Sequence, residues 1–513
     1  MHPDRADNLV SVLVAIGSPA LAGYSLAITR LNSRWLSRQF LYLHFPNRVN
    51  IPQALSALQH IPFRIDPSGP LLPSLIVLPH NDRYWKVLGA AARRTRQWSI
   101  PVAMNIIWVL VAFIFTIVDS FVDFDNFLTV PGDAGYSIAA VWTYLLPVVV
   151  GWLHVGSQLE ADHLHDALND AHDMAYVATA LDPVPATRIT GRSTRAIEPS
   201  TRLIDYVNAD EKKTAPIFNY ARVFIWSQYS EYILKLYEHA AAKTERRIPV
   251  QRGRLWVSED IDAIVAQDRT GNEAEVVQYC MEEEEDIANL SPRPGSLQFP
   301  TPLSPYTAPT VSAPSPSFKF DEEAIELAGP VKPVFATEVF HRVFFASILA
   351  LGLQWGTTGA AVLIHIFTPP KGVGCRALTF TVYGATGTVA FCLLLFSSMF
   401  AHLARRQSVR GSRSSSKNII GCIAALTRWL GKTIAILNGF GILISCGMQF
   451  GGVYDNCFCS STIFGGNPDG LVKFVEANIK GSEVYGYWIG GIIIAFGVSA
   501  LYTFAIYVAT PMR

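Results

Sequence analysis

Two Glu-x-x-His pairs are the residues of this 513-residue chain whose types and spacing best suit chemistry. Glu160 and His163 lie three apart in QLEADHLHDALNDAHD, and Glu338 and His341 repeat the interval where an apolar run begins. Residues three or four apart share a helix face, and paired Glu-x-x-His motifs on facing helices can hold a di-iron centre. Iron, manganese or zinc is the metal such a site would take, in a membrane-bound enzyme facing the cytosol. The same residues also fit a plainer description. Di-metal centres draw further carboxylates from other helices, and no His-rich membrane-oxidase box accompanies these pairs. His163, Asp166 and Asp170, with His165 and His172, then form a solvated face opposite Leu164, Leu168, Ala171 and Ala175. We read the chain as non-catalytic and without a cofactor, and keep the metal-dependent enzyme as the contrasting expectation.

Other reactive groups point to structure or regulation. The seven cysteines show no zinc-like spacing, and neither a Walker loop nor a GxSxG elbow is present. Cys375, Cys446, Cys457 and Cys459 fall toward the outer face of the expected topology, where disulfides form. Direct closure of Cys457 on Cys459 strains a three-residue ring, so one is expected to reach Cys375 and the other Cys446. Ser291, Thr301, Ser304 and Ser315 each precede proline, which makes them candidates for proline-directed phosphorylation. Arg428 and Lys432 sit in an apolar run, but Thr433 to Gly451 alone is one membrane thickness, so the two cations mark the cytosolic interface.

The elements that must position these groups are apolar helices. Half the chain is hydrophobic and 16% is charged, more apolar than a soluble protein. Four segments at 339–366, 376–401, 419–450 and 484–508 each reach the ~20 residues that a bilayer span needs. Three more, at 9–29, 101–120 and 136–155, bring the count to about seven. The segment at 9–29 resembles a signal peptide at Ala20-Leu21-Ala22. Cleavage there would leave ten Lys/Arg of residues 30–100 outside against Asp66 and Asp82 alone, contrary to the positive-inside bias. The expected arrangement is therefore an all-α polytopic bundle with its N-terminus outside or lumenal and its C-terminus in the cytosol. It belongs in a plasma or secretory-pathway membrane.

Charge then divides the chain into an N-terminal transmembrane helix (1–29), a basic cytosolic segment (30–100) and two spans (101–155). A large cytosolic helical insertion (156–290), a Pro-rich disordered linker (291–338) and a four-helix block with an outer Cys loop (339–513) follow. The basic segment has apolar residues enough to lie on the bilayer or pack on the bundle. Residues 215–243 read as an interfacial or buried helix. The linker carries eight prolines between 291 and 317 and cannot build a packed core. Net charge is zero, 41 basic against 41 acidic residues, which offers nothing to nucleic acid. The expected partners are the bilayer and a small molecule or protein engaging 156–338.

Several phrases resemble a family of multi-pass membrane proteins of filamentous fungi that has no known activity. They are GSPALAGYSLAITRLNSRW (17–35), SLIVLPHNDRYW (74–85), WSIPVAMNIIWVLVAFIFTIVDSF (98–121), AYVATAL (175–181), FNYARVF (218–224) and VYDNCFCSS (453–461). The resemblance implies a fungal membrane origin, an outer cysteine loop and a place accessory to a metabolic pathway, and no site residue. The leading expectation is a transport or sensing component with a regulatory cytosolic loop. A seven-span receptor fits the topology as well, although its long loop would ordinarily fall between spans five and six. Gly17-Ser18-Pro19 interrupts the first span, a feature that transporters share, but no second copy of either half is apparent.

Overall fold

The computed structural model describes the chain apart from residues 1–2, 67–68, 94–131, 156–160, 189–194, 200–209, 212, 214, 261–263, 282–336, 369–371, 410–415, 452, 455–480 and 509–513. The expected span at 101–120 and the four phosphorylation candidates Ser291, Thr301, Ser304 and Ser315 lie outside the described residues. What is described is mostly helical and falls into an apolar bundle and a helical domain beside it.

The C-terminal apolar runs form α11 (Thr337–Phe367), α12 (Cys375–Val409), α13 (Ser416–Phe450) and α14 (Gly481–Val508). The expected third span is two short helices, α6 (Gly132–Trp142) and α7 (Leu145–Val155). Pro147 has no N–H to offer the Thr143 carbonyl, so the helical ladder is interrupted between them. These make five helices long and apolar enough to cross a membrane. Their outward faces carry large apolar side chains, among them Phe344, Leu437, Leu501 and Phe504, an uncovered apolar surface far beyond a soluble domain's ordinary patches.

The expected first span is not straight. It is α1 (Pro3–Gly17) and α2 (Pro19–Leu41), bent by 104° at Ser18. Pro19 removes a ladder donor and its ring excludes the carbonyl four residues back, while the residue before a proline is pushed out of the helical region. Ser18 accordingly sits at φ −140°, ψ 84°. Proline then occupies the first turn of α2, where its missing N–H costs nothing.

The helical domain differs from expectation in what it is made of. The basic segment does not lie along the bundle as a strip: it co-folds with the insertion. Its α3 (Asn50–Leu58), α4 (Leu71–Val77) and α5 (Asp82–Arg93) share one core with α8 (Ala161–Asp173), α9 (Asn219–Glu245) and α10 (Glu273–Tyr279). Strand β1 (Phe63–Ile65) pairs with a strand at Ile197–Pro199 of the insertion. Trp226 Nε1 donates to Leu55 O at 2.7 Å, Tyr237 OH to Phe45 O at 3.0 Å, and Arg269 forks onto Asp82 at 2.8 and 2.9 Å. The apolar residues of 30–100 find their partners more than a hundred residues away, which no local pattern reveals. Within the domain, Leu164, Leu168, Ala171 and Ala175 are buried on one side of α8 and its C-terminal end, as their spacing predicts.

Contacts also sort the helix ends to two sides. Glu338 at the start of α11 accepts from Trp35 Nε1 at 2.6 Å, and Arg405 near the end of α12 pairs with Glu211 at 2.9 Å, both on the domain side. At the opposite side Tyr136 of α6 lies against Trp488 of α14, ring centroids 5.1 Å apart.

Candidate functional site

The described members of the sequence-derived metal pairs, His163, Glu338 and His341, do not come together. Among the described residues no group of three His, Cys, Asp or Glu is placed to hold a metal ion. His163 is exposed on α8, which packs on α5 in the domain core, whereas Glu338 and His341 sit exposed at the start of α11. Glu338 is engaged by Trp35, and Glu160 lies outside the described residues.

The cysteine expectation needs correction at one position. Cys446 is a free, buried thiol: on α13 it turns inward among Tyr136, Ile442 and Trp488 rather than toward an outer loop. Cys375 is not among the free thiols, and no disulfide joins two described residues. Cys457 and Cys459 both lie outside them.

The site that the structure does build is the break between α1 and α2. A broken helix exposes carbonyls at one end and N–H groups at the other, and inside an apolar bundle each must find a partner. Three span-length helices and the α6–α7 turn supply the partners. Ala15 O accepts from Tyr144 OH at 3.5 Å, Ile16 O from Tyr383 OH at 2.6 Å, and Gly17 O from Asn438 Nδ2 at 2.7 Å. On the other side of the break, Ala20 N donates to Gln354 Oε1 at 3.0 Å. Gln354 thus caps α2 from another helix, while the side chain of Ser18 turns away and donates to Gly387 O at 2.9 Å. Further along α2, Gly23 O accepts from Tyr502 OH at 2.5 Å.

A second shell of polar groups orients these. Gln354 Nε2 donates to Gly384 O and Thr388 Oγ1, both at 2.8 Å, and Trp355 Nε1 also reaches Thr388 at 3.0 Å. Thr386 Oγ1 donates to Asn438 Oδ1 at 2.6 Å, fixing that amide with its NH2 toward Gly17. Gln354, Gly387 and Asn438 all lie near the middle of their helices, so the network sits deep in the bundle. It contains amides, hydroxyls and carbonyls and no carboxylate or cation. These groups hydrogen-bond one another and the open backbone of the break.

Close backbone approach makes the network possible. A Cβ on Gly17 would fall 1.7 Å from Ala435 O, and one on Gly439 2.8 Å from Leu13 O. Small residues four apart on α13 let α1 press backbone to backbone, as in membrane helix pairs.

Sequence reasoning flagged Gly17-Ser18-Pro19 but missed Gln354 and Asn438. Their only signal was an amide within an apolar run, and amides there tend to hydrogen-bond across helices.

The cations Arg428 and Lys432 lie lower on α13. They do not face water or head groups alone: Asp210 of the insertion is fully buried against them, with Lys432 Nζ in contact and Arg428 Nε 3.9 Å away. The N-terminal turns of α9 descend beside them into the bundle, and Phe218, Tyr220 and Phe224 join its core. Residues 215–243 are thus a buried helix, one of the two forms expected. Burial lowers the pKa of Arg222 to about 10, partly offset by Glu211 and Asp210, so it stays cationic at neutral pH. Burial, and then Asp210, holds the Tyr220 hydroxyl well above its ordinary value, so it remains the donor to Asp210 at 2.5 Å.

No family model, curated protein or solved structure matches the chain. The functional reading therefore rests on the fold and on this site.

Proposed function

We propose that the chain is an integral membrane protein that binds a small uncharged polar molecule at the helix break, as a transport or sensing component. The observation that carries this reading is the break itself. It lies at mid-bundle, and its open backbone groups are held by Gln354, Tyr383 and Asn438 of three separate helices and by Tyr144 at the turn between α6 and α7, the kind of arrangement in which discontinuous helices form substrate sites. A helix interrupted deep in an apolar bundle exposes costly backbone groups unless something is gained there.

The topology that we propose follows from parity. The domain joins residues 43–93 to 161–281 in one core, so both lie on one side of the membrane. The segment 135–152 crosses once between them, and a second crossing must close the circuit. The apolar run 101–120 is the only candidate between Arg93 and Gly132. With α11 to α14 and the bent first segment this gives the expected seven. Arg405 and the arginine-rich loop after it mark the domain side as cytosolic. The bridge from Cys375, to Cys457 or Cys459, would then staple the opposite face.

Proteoliposome uptake of radiolabelled uncharged solutes (hexoses, polyols and small amides) tests the reading, with wild type beside Gln354→Leu and Asn438→Leu. Uptake, or a ligand-dependent rise in melting temperature, lost in both variants supports it. Wild-type protein that neither takes up nor is stabilised by any of them refutes it.

A further inference from the structure

We infer that Asp210 and Glu211 form an ionic latch through which the cytosolic domain holds the α12–α13 hairpin, and with it the helix break, in the closed arrangement. Two adjacent carboxylates grip two different helices. Asp210 takes Lys432 and Arg428 of α13, while Glu211 Oε2 takes Arg405 Nη2 of α12 at 2.9 Å. The backbone of this step is itself fixed to the domain. Arg222 of α9 donates through Nη1 to the carbonyls of Glu211 and Lys213, through Nε to Gln59 O at 3.0 Å and through Nη2 to Asn219 Oδ1 at 2.6 Å. The latch is thus anchored in the core that unites the basic segment with the insertion.

The middle of each gripped helix reaches the break. Asn438, which holds Gly17 O, is six residues beyond Lys432, about 9 Å along the axis. Tyr383 and Gly387, which hold Ile16 O and Ser18, are on the same α12 as Arg405. The hairpin's helices pack closely, since a Cβ on Gly431 would come 2.9 Å from Leu394, and the latch holds them as a pair. Shifting the pair against the domain separates buried charges, which a low-dielectric setting opposes strongly. The cation side is partly exposed, Lys432 by 20% and Arg405 by 15%.

Hydrogen exchange of the full-length protein in nanodiscs, read by mass spectrometry, tests the latch without reference to any transported solute. The expected result in Asp210→Asn is exchange faster by about tenfold or more at residues 13–22 and around Asn438, with α5 and α8 unchanged. Glu211→Gln should do the same more weakly, and the swap Asp210→Lys with Lys432→Asp should restore protection. A rise confined to residues 210–222, or no rise, overturns the inference. Loss of protection throughout the domain in both single variants also overturns it, since the contact would then be a folding requirement.

Discussion

At the scale of single residues, Gly17 is the position least open to change. Gly17→Ala places a methyl where the Ala435 carbonyl stands, and α1 and α13 must part to admit it. Overpacking costs about 1–3 kcal/mol where neighbours can yield; here the neighbour is backbone, so the loss should reach at least the top of that range. It reads as a lower melting temperature in detergent. Gln354→Leu should cost about 1–3 kcal/mol by leaving the buried N–H of Ala20 without an acceptor, in the same assay. Cys280 offers a pH test within the domain. Burial, only partly offset by Lys243, raises its thiol from 9.0 to about 12. The unfolded chain then releases this proton first, so the contribution is fully present below pH 9 and is lost as pH rises toward 12. Cys280→Ala should flatten the alkaline fall in stability by about 1.4 kcal/mol per pH unit in that window, as measured by denaturant titration.

At the scale of elements, Arg222 decides whether α9 belongs to the bundle or only to the domain. Its guanidinium spans Gln59, Glu211, Lys213 and Asn219, a geometry that an ammonium cannot reproduce. Arg222→Lys keeps the charge yet should destabilise by about 2–4 kcal/mol, seen as earlier melting and as protease cleavage ahead of α9. How far the sequence revealed such elements depended on range. The buried stripe of α8 repeats at helical intervals, and the four C-terminal helices are apolar runs of span length, so local pattern alone reveals both. Ser18 was visible because proline breaks a helix by its own covalent structure. The partners of these elements were not visible. Lys432 meets Asp210 across 222 residues, and the apolar groups of 30–100 look peripheral until Trp226 and Tyr237 are set beside them. The Glu-x-x-His pairs show the converse, since a local interval promised a convergence that the described members His163, Glu338 and His341 do not make.

At the scale of the whole molecule, sidedness is the sharpest prediction. In a Cys422→Ser background, an impermeant maleimide applied to sealed vesicles should treat Lys86→Cys and Glu259→Cys alike. Both positions are exposed on the shared domain, one before and one after the proposed pair of crossings. Val453→Cys, just past the far end of α13, should show the opposite accessibility. Split behaviour of the first two would break the parity argument and with it the crossing at 101–120.

The helix break also constrains the order in which the protein can be made. Tyr502 bonds Gly23 across 479 residues, Asn438 bonds Gly17 across 421, and Ser18 bonds Gly387 across 369. During synthesis the bent first segment emerges long before any of these partners exist. Its open carbonyls and amides must wait, within or beside the bilayer, until the last helix leaves the ribosome. Nascent chains stalled before Gly481 should therefore hold this segment in an unsettled, protease-sensitive or chaperone-bound state, and release of the final helix should complete its insertion.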